Sequence, residues 1–241
     1  MPPMEKPQST RAFPLPFTGH AAREPKGVLY GVIRGLTRPI LRTLFSFDLR
    51  GLDHLPSGGP FIVAANHHNY LDGVVLSAAL PRKICFLVMP SVYSCTWIHP
   101  HFHRQVGSIS INLERPDPGA IKRALKKLED GGVIGIFPEG PFSLDGRLVN
   151  GQPGVALIAL RSGVPVVPAA IRGTYEALKN GSSLIPRPHP ISVHFGAPLS
   201  FGRYRRAHKV PRPVRDEVTH RIMTEIARLL GEMPKNGSGR V

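Results

Sequence analysis

Apolar residues in this chain fall into short runs separated by polar or Gly/Pro-rich stretches. The runs at 47–52, 61–65, 84–89, 108–113, 133–137, 164–171 and 191–195 have the length and composition of buried strands. Between them lie segments of helical period at 71–80, from Asp117 to about 131, at 154–162 and at 214–230. The first two strands are joined by the turn-prone Pro56-Ser57-Gly58-Gly59-Pro60. Asp117-Pro118 reads as an N-cap followed by proline at the first helical position. Residues 91–105 show no clear period, and helix is the better fit there. Strands alternating with helices predict an α/β domain with a mixed, mostly parallel sheet flanked by helices. No internal repeat is present.

The segment 27–47 is an interrupted amphipathic helix. Val32, Ile33, Leu36, Ile40, Leu44 and Phe45 recur at helical spacing, and Arg34, Arg38 and Arg42 form a row four residues apart. Two placements fit: a membrane interface where guanidinium groups meet phosphates, or a helix packed on the domain with a solvated basic edge. Pro39 is expected to kink or split it. Residues 1–26, rich in Pro and Arg, read as a flexible lead-in, 27–231 as one domain and 232–241 as a flexible tail.

Charge sharpens the choice of partner. Lys plus Arg number 31 against 16 Asp plus Glu, a net +15 with a pI near 10.6. Such an excess implies an anionic partner: a lipid surface, an acidic carrier protein or nucleic acid. Nucleic acid is the weakest of these, since aromatic residues do not interleave with the basic ones. Two cysteines, Cys85 and Cys95, give no disulfide framework and suggest a reducing compartment. There is no signal-peptide core and no apolar run of spanning length, so a peripheral position on the cytoplasmic side of a membrane is expected.

Two clusters could carry chemistry. His67 and Asp72 stand five positions apart in a polar loop after the strand at 61–65, so Asp72 can fold back onto the His67 ring and leave its other nitrogen as a base. The competing reading is a loop histidine followed by a helix-capping aspartate. His68 and Asn69 would support the loop, and Asn66 would hold it through bonds to backbone. Glu139, between Pro138 and Gly140, ends the strand at 133–137 and projects from a tight loop, where it could accept hydrogen bonds from substrate hydroxyls. Other features carry less: His99, His101 and His103 lack a matching cysteine or carboxylate for a metal, Cys95 lacks a base, and Ser143 lacks a nucleophile-elbow context. No phosphate-binding glycine loop occurs.

Four ordered blocks resemble the lysophospholipid and glycerolipid acyltransferases: Asn66-His67 with Asp72, Gly107-Ser108-Ile109-Ser110-Ile111, Phe137-Pro138-Glu139-Gly140, and Val164-Pro165-Val166-Val167-Pro168. The resemblance implies transfer of a fatty acyl group from an acyl-CoA or acyl-carrier-protein thioester to a lipid hydroxyl, with lysophosphatidic acid or a related lysophospholipid as the usual acceptor. It implies His67 as general base, Asp72 as its orienting acid, and Gly107, Glu139 and Gly140 in substrate binding, with no metal or redox cofactor. The chain departs from the pattern where that family places phosphate-binding cations: Leu113, Phe142 and Gln152 stand there. Arg115, Arg147 or Arg172 could restore the charge. Phe142 would otherwise make the pocket more apolar and favour a different lipid hydroxyl or an amine.

Overall fold

A computed structural model describes residues 28–91, 103–104, 107–143, 145–178, 185–202 and 210–233. The expected lead-in, most of the expected tail, Cys95 and the pair His99 and His101 lie outside the described residues.

Seven strands form one sheet in the order β1-β7-β6-β2-β5-β3-β4. They are β1 (Asp48–Arg50), β2 (Phe61–Ala65), β3 (Ile84–Val88), β4 (Ile109–Ser110), β5 (Val133–Ile136), β6 (Val166–Arg172) and β7 (Ser192–Phe195). All neighbouring pairs are parallel except β6 with β7. The helices are α1 (Val28–Phe45), α2 (Leu71–Ala79), α3 (Pro118–Glu129), α4 (Gly154–Ser162), α5 (Thr174–Ala177) and α6 (Arg212–Glu232). This is the mixed, mostly parallel α/β sheet that alternating strands and helices predict.

β2 is buried at every position because the sheet is covered on both faces. Phe61, Val63 and Ala65 belong to the core shared with α1 and α2, while Ile62 and Ala64 belong to that of α3, α4 and α6. Each fully buried Ile or Phe contributes about 1.5–3 kcal/mol to holding these layers together. β2 lies between β5 and β6, with Ala64 opposite both Ile136 and Pro168. The carboxyl ends of these three parallel strands therefore open on one edge.

Two expectations need correction. The strand at 108–113 is only Ile109–Ser110. Beyond it Asn112 N–H donates to Asp117 Oδ2, and Glu114 and Arg115 N–H donate to Asn112 Oδ1, so side chains take the place of a ladder. α1 runs unbroken through Pro39, which lies on its exposed side. The apolar positions of α1 divide between its two sides. Leu36, Ile40 and Leu44 are 64%, 49% and 54% exposed, whereas Leu41 and Phe45 are buried against the domain. Arg34 turns back to donate to the Pro81 carbonyl.

Candidate active site

The loop after β2 and the loop after β5 meet at His67. The His67 ring places Nδ1 2.9 Å from Asp72 Oδ2, and Asp72 is fully buried in the first turn of α2. Oδ2 also accepts the main-chain N–H of His68 at 2.6 Å and of Asn69 at 2.9 Å. Asp72 thus ties down the loop before α2 and orients the histidine at once; it is not the helix cap of the competing reading, since that position is Tyr70 and carries no side-chain cap. Burial pushes its carboxyl pKa up, but the His67 hydrogen bond, the attraction of His67 and His68 when protonated, and the Thr174 hydroxyl outweigh that and hold it below the usual range. An ionised Asp72 accepts only, so the His67 proton sits on Nδ1 and Nε2 keeps its lone pair.

Aromatic rings fix the His67 plane. Phe137 stacks on it at 3.8 Å between centroids, and Phe142 meets its edge at 4.6 Å. Phe142 in turn packs edge-on against Tyr70, and Phe86 of β3 stacks behind Phe137. Phe86 has room because residue 135 is glycine: a Cβ there would lie 2.6 Å from the Phe86 ring.

Glu139 is buried, and both its oxygens are taken by main chain. Oε1 accepts His67 N–H at 2.7 Å and Oε2 accepts Val149 N–H at 2.9 Å. The sequence suggests that it receives substrate hydroxyls; in the structure it braces the base-bearing loop to Val149. Burial raises its pKa despite these two bonds, and the Asp72 charge adds to the rise. Ser143 N–H donating to His67 O and Gln152 N–H donating to Pro138 O complete the stitching.

The remaining sequence candidates divide. Phe142 lies at the site, as does Gly140, whose φ of +83° suits glycine. Leu113 and Gln152 flank Gly140, at 3.4 and 3.6 Å from where its Cβ would stand, so the residues replacing the expected cations do converge here. Gly107 does not join them. It precedes edge strand β4, three strands from β2, or about 14 Å at the usual strand spacing. There it lines, with Cys85, Ile109 and the basic side chains of α3, a groove of about 370 Å³. Arg172 extends to the Leu230 carbonyl near the end of α6, which suits a cation at a helix C-terminus. Arg147 is exposed beside Asp145, and Arg115 is exposed. His103 bonds Ser108 through Nδ1, and among the described residues no group of three or more metal-ligating side chains gathers.

Sequence reasoning missed Thr174 and Tyr175. Asn69 donates to the carbonyls of Thr174 and Leu178, His68 Nδ1 lies 3.1 Å from Thr174 Oγ1, and the Tyr175 ring meets His68 edge-on. Gly173 makes the turn into α5 with φ +91°, where a Cβ would strike the Pro190 carbonyl oxygen. No local motif marks Thr174, about a hundred residues after His67.

Comparison with known proteins identifies a family and a shared fold. The family model described as Acyltransferase matches residues 46–172. A 1-acyl-sn-glycerol-3-phosphate acyltransferase of Bacillus subtilis is 30% identical over 122 residues, covering 50% of this chain and 60% of that protein. The chloroplastic enzyme BAT2 of Brassica napus is 29% identical over 161 residues, covering 64% of this chain and 45% of that protein. One from Cocos nucifera is 35% identical over 184 residues, covering 74% and 57%. The chain therefore spans between about half and six-tenths of these relatives' lengths. The crystal structure of the 1-acyl-sn-glycerophosphate acyltransferase PlsC from Thermotoga maritima superposes with a TM-score of 0.68 at 21% identity, covering 86% of this chain and 82% of that one. It shares the fold.

Proposed function

The chain belongs to the acyltransferase family, and from that premise we propose that it moves a fatty acyl group from a thioester to the hydroxyl of a lipid acceptor. The observation that carries this reading is the His67–Asp72 hydrogen bond of 2.9 Å, made by a fully buried carboxylate. His67 Nε2 takes the acceptor proton as the hydroxyl oxygen attacks the thioester carbonyl carbon. A tetrahedral intermediate collapses, the C–S bond breaks, and the departing sulfur receives the proton from the imidazolium. An ester and a free thiol result. Asp72 stabilises the transient positive charge without itself taking the proton. The thioester carrier is coenzyme A or an acyl carrier protein; the reading asks for no metal or redox cofactor.

Lysophosphatidic acid is the first acceptor to consider, since the relatives are named for it. A specific observation favours a second. Phe137 and Phe142 pack on the base, Tyr70 packs on Phe142, and Leu113 and Gln152 flank Gly140, so this wall of the site offers contact without charge. A charge-assisted bond to phosphate contributes roughly 1.5–3 kcal/mol, and such a wall supplies none. The exposed Arg147 is the cation best placed to compensate, since its carbonyl accepts from Ser143, which itself bonds His67. Labelled acyl-CoA and acyl carrier thioester, each offered with lysophosphatidic acid, a neutral monoacyl lipid and an amine lipid, decide among these. Transfer to lysophosphatidic acid that falls on Arg147→Ala supports the phosphate acceptor; preference for the neutral or amine lipid supports the apolar one. Release of the acyl group to water alone would make the protein a hydrolase.

The exposed Leu36–Ile40–Leu44 row supports docking on a membrane surface, with the +15 net charge favouring anionic lipid. Among the described residues no helix is long and apolar enough to cross a membrane.

A further inference from the structure

His68 is buried beside the base, and the reaction as written does not use it. Its protonation follows from its neighbours. The Asn66 amide has one orientation, because Ile171 N–H donates to Oδ1 at 2.7 Å while Nδ2 donates to Ile171 O at 2.9 Å. The second Nδ2 proton is directed to His68 Nε2 at 3.3 Å. Nε2 must therefore accept, which puts the proton of a neutral ring on Nδ1. Nδ1 donates it to Thr174 Oγ1 at 3.1 Å. The Thr174 hydroxyl then has its own proton to place. Asp72 Oδ1 is fully buried and has no hydrogen-bond partner, while Oδ2 already accepts three hydrogen bonds. A carboxylate oxygen so placed calls for a donor.

We propose that Asn66, His68 and Thr174 form a buried, proton-ordered chain that ends on Asp72 Oδ1 and holds this carboxylate for His67. His68 and Thr174 are then positioning residues, acting through Asp72 and not on substrate. The influence of the Thr174 hydroxyl on Asp72, which helps keep the carboxyl ionised, agrees with that direction of donation. The chain sets two adjacent histidines apart: Asp72 holds His67 through Nδ1, whereas His68 has both ring nitrogens committed. It rests on the reading of His67 and Asp72 as the catalytic pair.

Three measurements test it together. In the wild-type protein, ¹⁵N NMR of the imidazole nitrogens is expected to show His68 as the neutral Nδ1–H tautomer at pH 7. Thr174→Val is expected to lower kcat about ten- to a hundredfold with both KM values changed by less than about threefold, the loss of one hydrogen bond to a charged group. Thr174→Ser, which keeps the hydroxyl, is expected to restore most of that rate. The charged and titratable groups facing Asp72 are His67, His68 and Glu139, so removing the Thr174 donor leaves the carboxylate to draw more strongly on the His67 proton. The acid limb of kcat/KM is then expected to move to higher pH in the valine variant and not in the serine one. A His68 found as Nε2–H or as imidazolium at pH 7 overturns the proposal, as does a valine variant with wild-type kcat and pH profile. If the valine variant does not fold, the wild-type tautomer decides alone. Retained activity in His67→Ala would instead remove the dyad reading itself.

Discussion

Glu139 is a buried carboxylate held between the His67 loop and Val149. Its position after a strand and before Gly140 marks it as part of the site. Nothing local reveals that its oxygens accept N–H groups of residues 67 and 149, one of them far away in the chain. Glu139→Ala strands two amides and is expected to cost about 2–4 kcal/mol in denaturant unfolding, against nearly full retention of acceptor KM among molecules still folded. A large rise in acceptor KM with no loss of stability would return Glu139 to the substrate. Its pKa is raised by burial, so the folded protein holds this proton more tightly than the unfolded chain. The resulting stability is fully present below the unfolded value near pH 4.3 and is lost as pH rises through the higher folded value. Unfolding free energies measured across that range should show wild type losing stability relative to Glu139→Gln as pH rises. His67 and Asp72 were legible because five residues separate them in one loop. Thr174 was not, because its contact with His68 exists only after β6 has been laid beside β2.

At the scale of elements, buried strands were the easiest to read. β2, β3 and β5 are short, uninterrupted apolar runs bounded by polar turns, and both faces of each need covering. β4 was overestimated because Asn112 and Asp117 satisfy backbone locally, a competition that hydrophobicity does not register. α1 was recognised as amphipathic, yet a stripe alone does not say which side faces the domain. Leu41 and Phe45 occupy the inner side, leaving Leu36, Ile40 and Leu44 outside. Replacing those three with serine is therefore expected to reduce binding to anionic vesicles about tenfold or more without changing the melting temperature appreciably, since at least one buried leucine's worth of apolar contact is removed from the lipid side. Unchanged binding in a vesicle sedimentation assay would assign docking to another surface. Gly135 offers a separate check on how β5 supports the base. Gly135→Ala drives a methyl into Phe86, which backs Phe137, and is expected to cost roughly 1–3 kcal/mol as the ring stack shifts. A variant with wild-type stability and rate would show that the stack adapts freely.

The whole molecule joins a strongly basic charge to a site at the carboxyl edge of a parallel sheet, where neighbouring strand ends commonly meet ligands. Alternating strands and helices made the layered α/β architecture legible, but the antiparallel β6–β7 pair and the strand order come from packing that no single segment encodes. Its net charge belongs to this scale as well. Vesicle affinity is expected to fall as ionic strength rises and the screening length shrinks toward about 8 Å at physiological salt, with a residual salt-resistant part from the apolar row of α1. Under the proposed function, edge, base and charge would bring acyl donor and lipid acceptor together at a surface. The most direct test is the rate of acyl transfer from a labelled thioester to lipid by wild type and His67→Ala, with folding verified by thermal unfolding. A loss of about 10²- to 10⁴-fold in kcat at an unchanged melting temperature is expected. A folded His67→Ala protein that transfers acyl groups at the wild-type rate would contradict it.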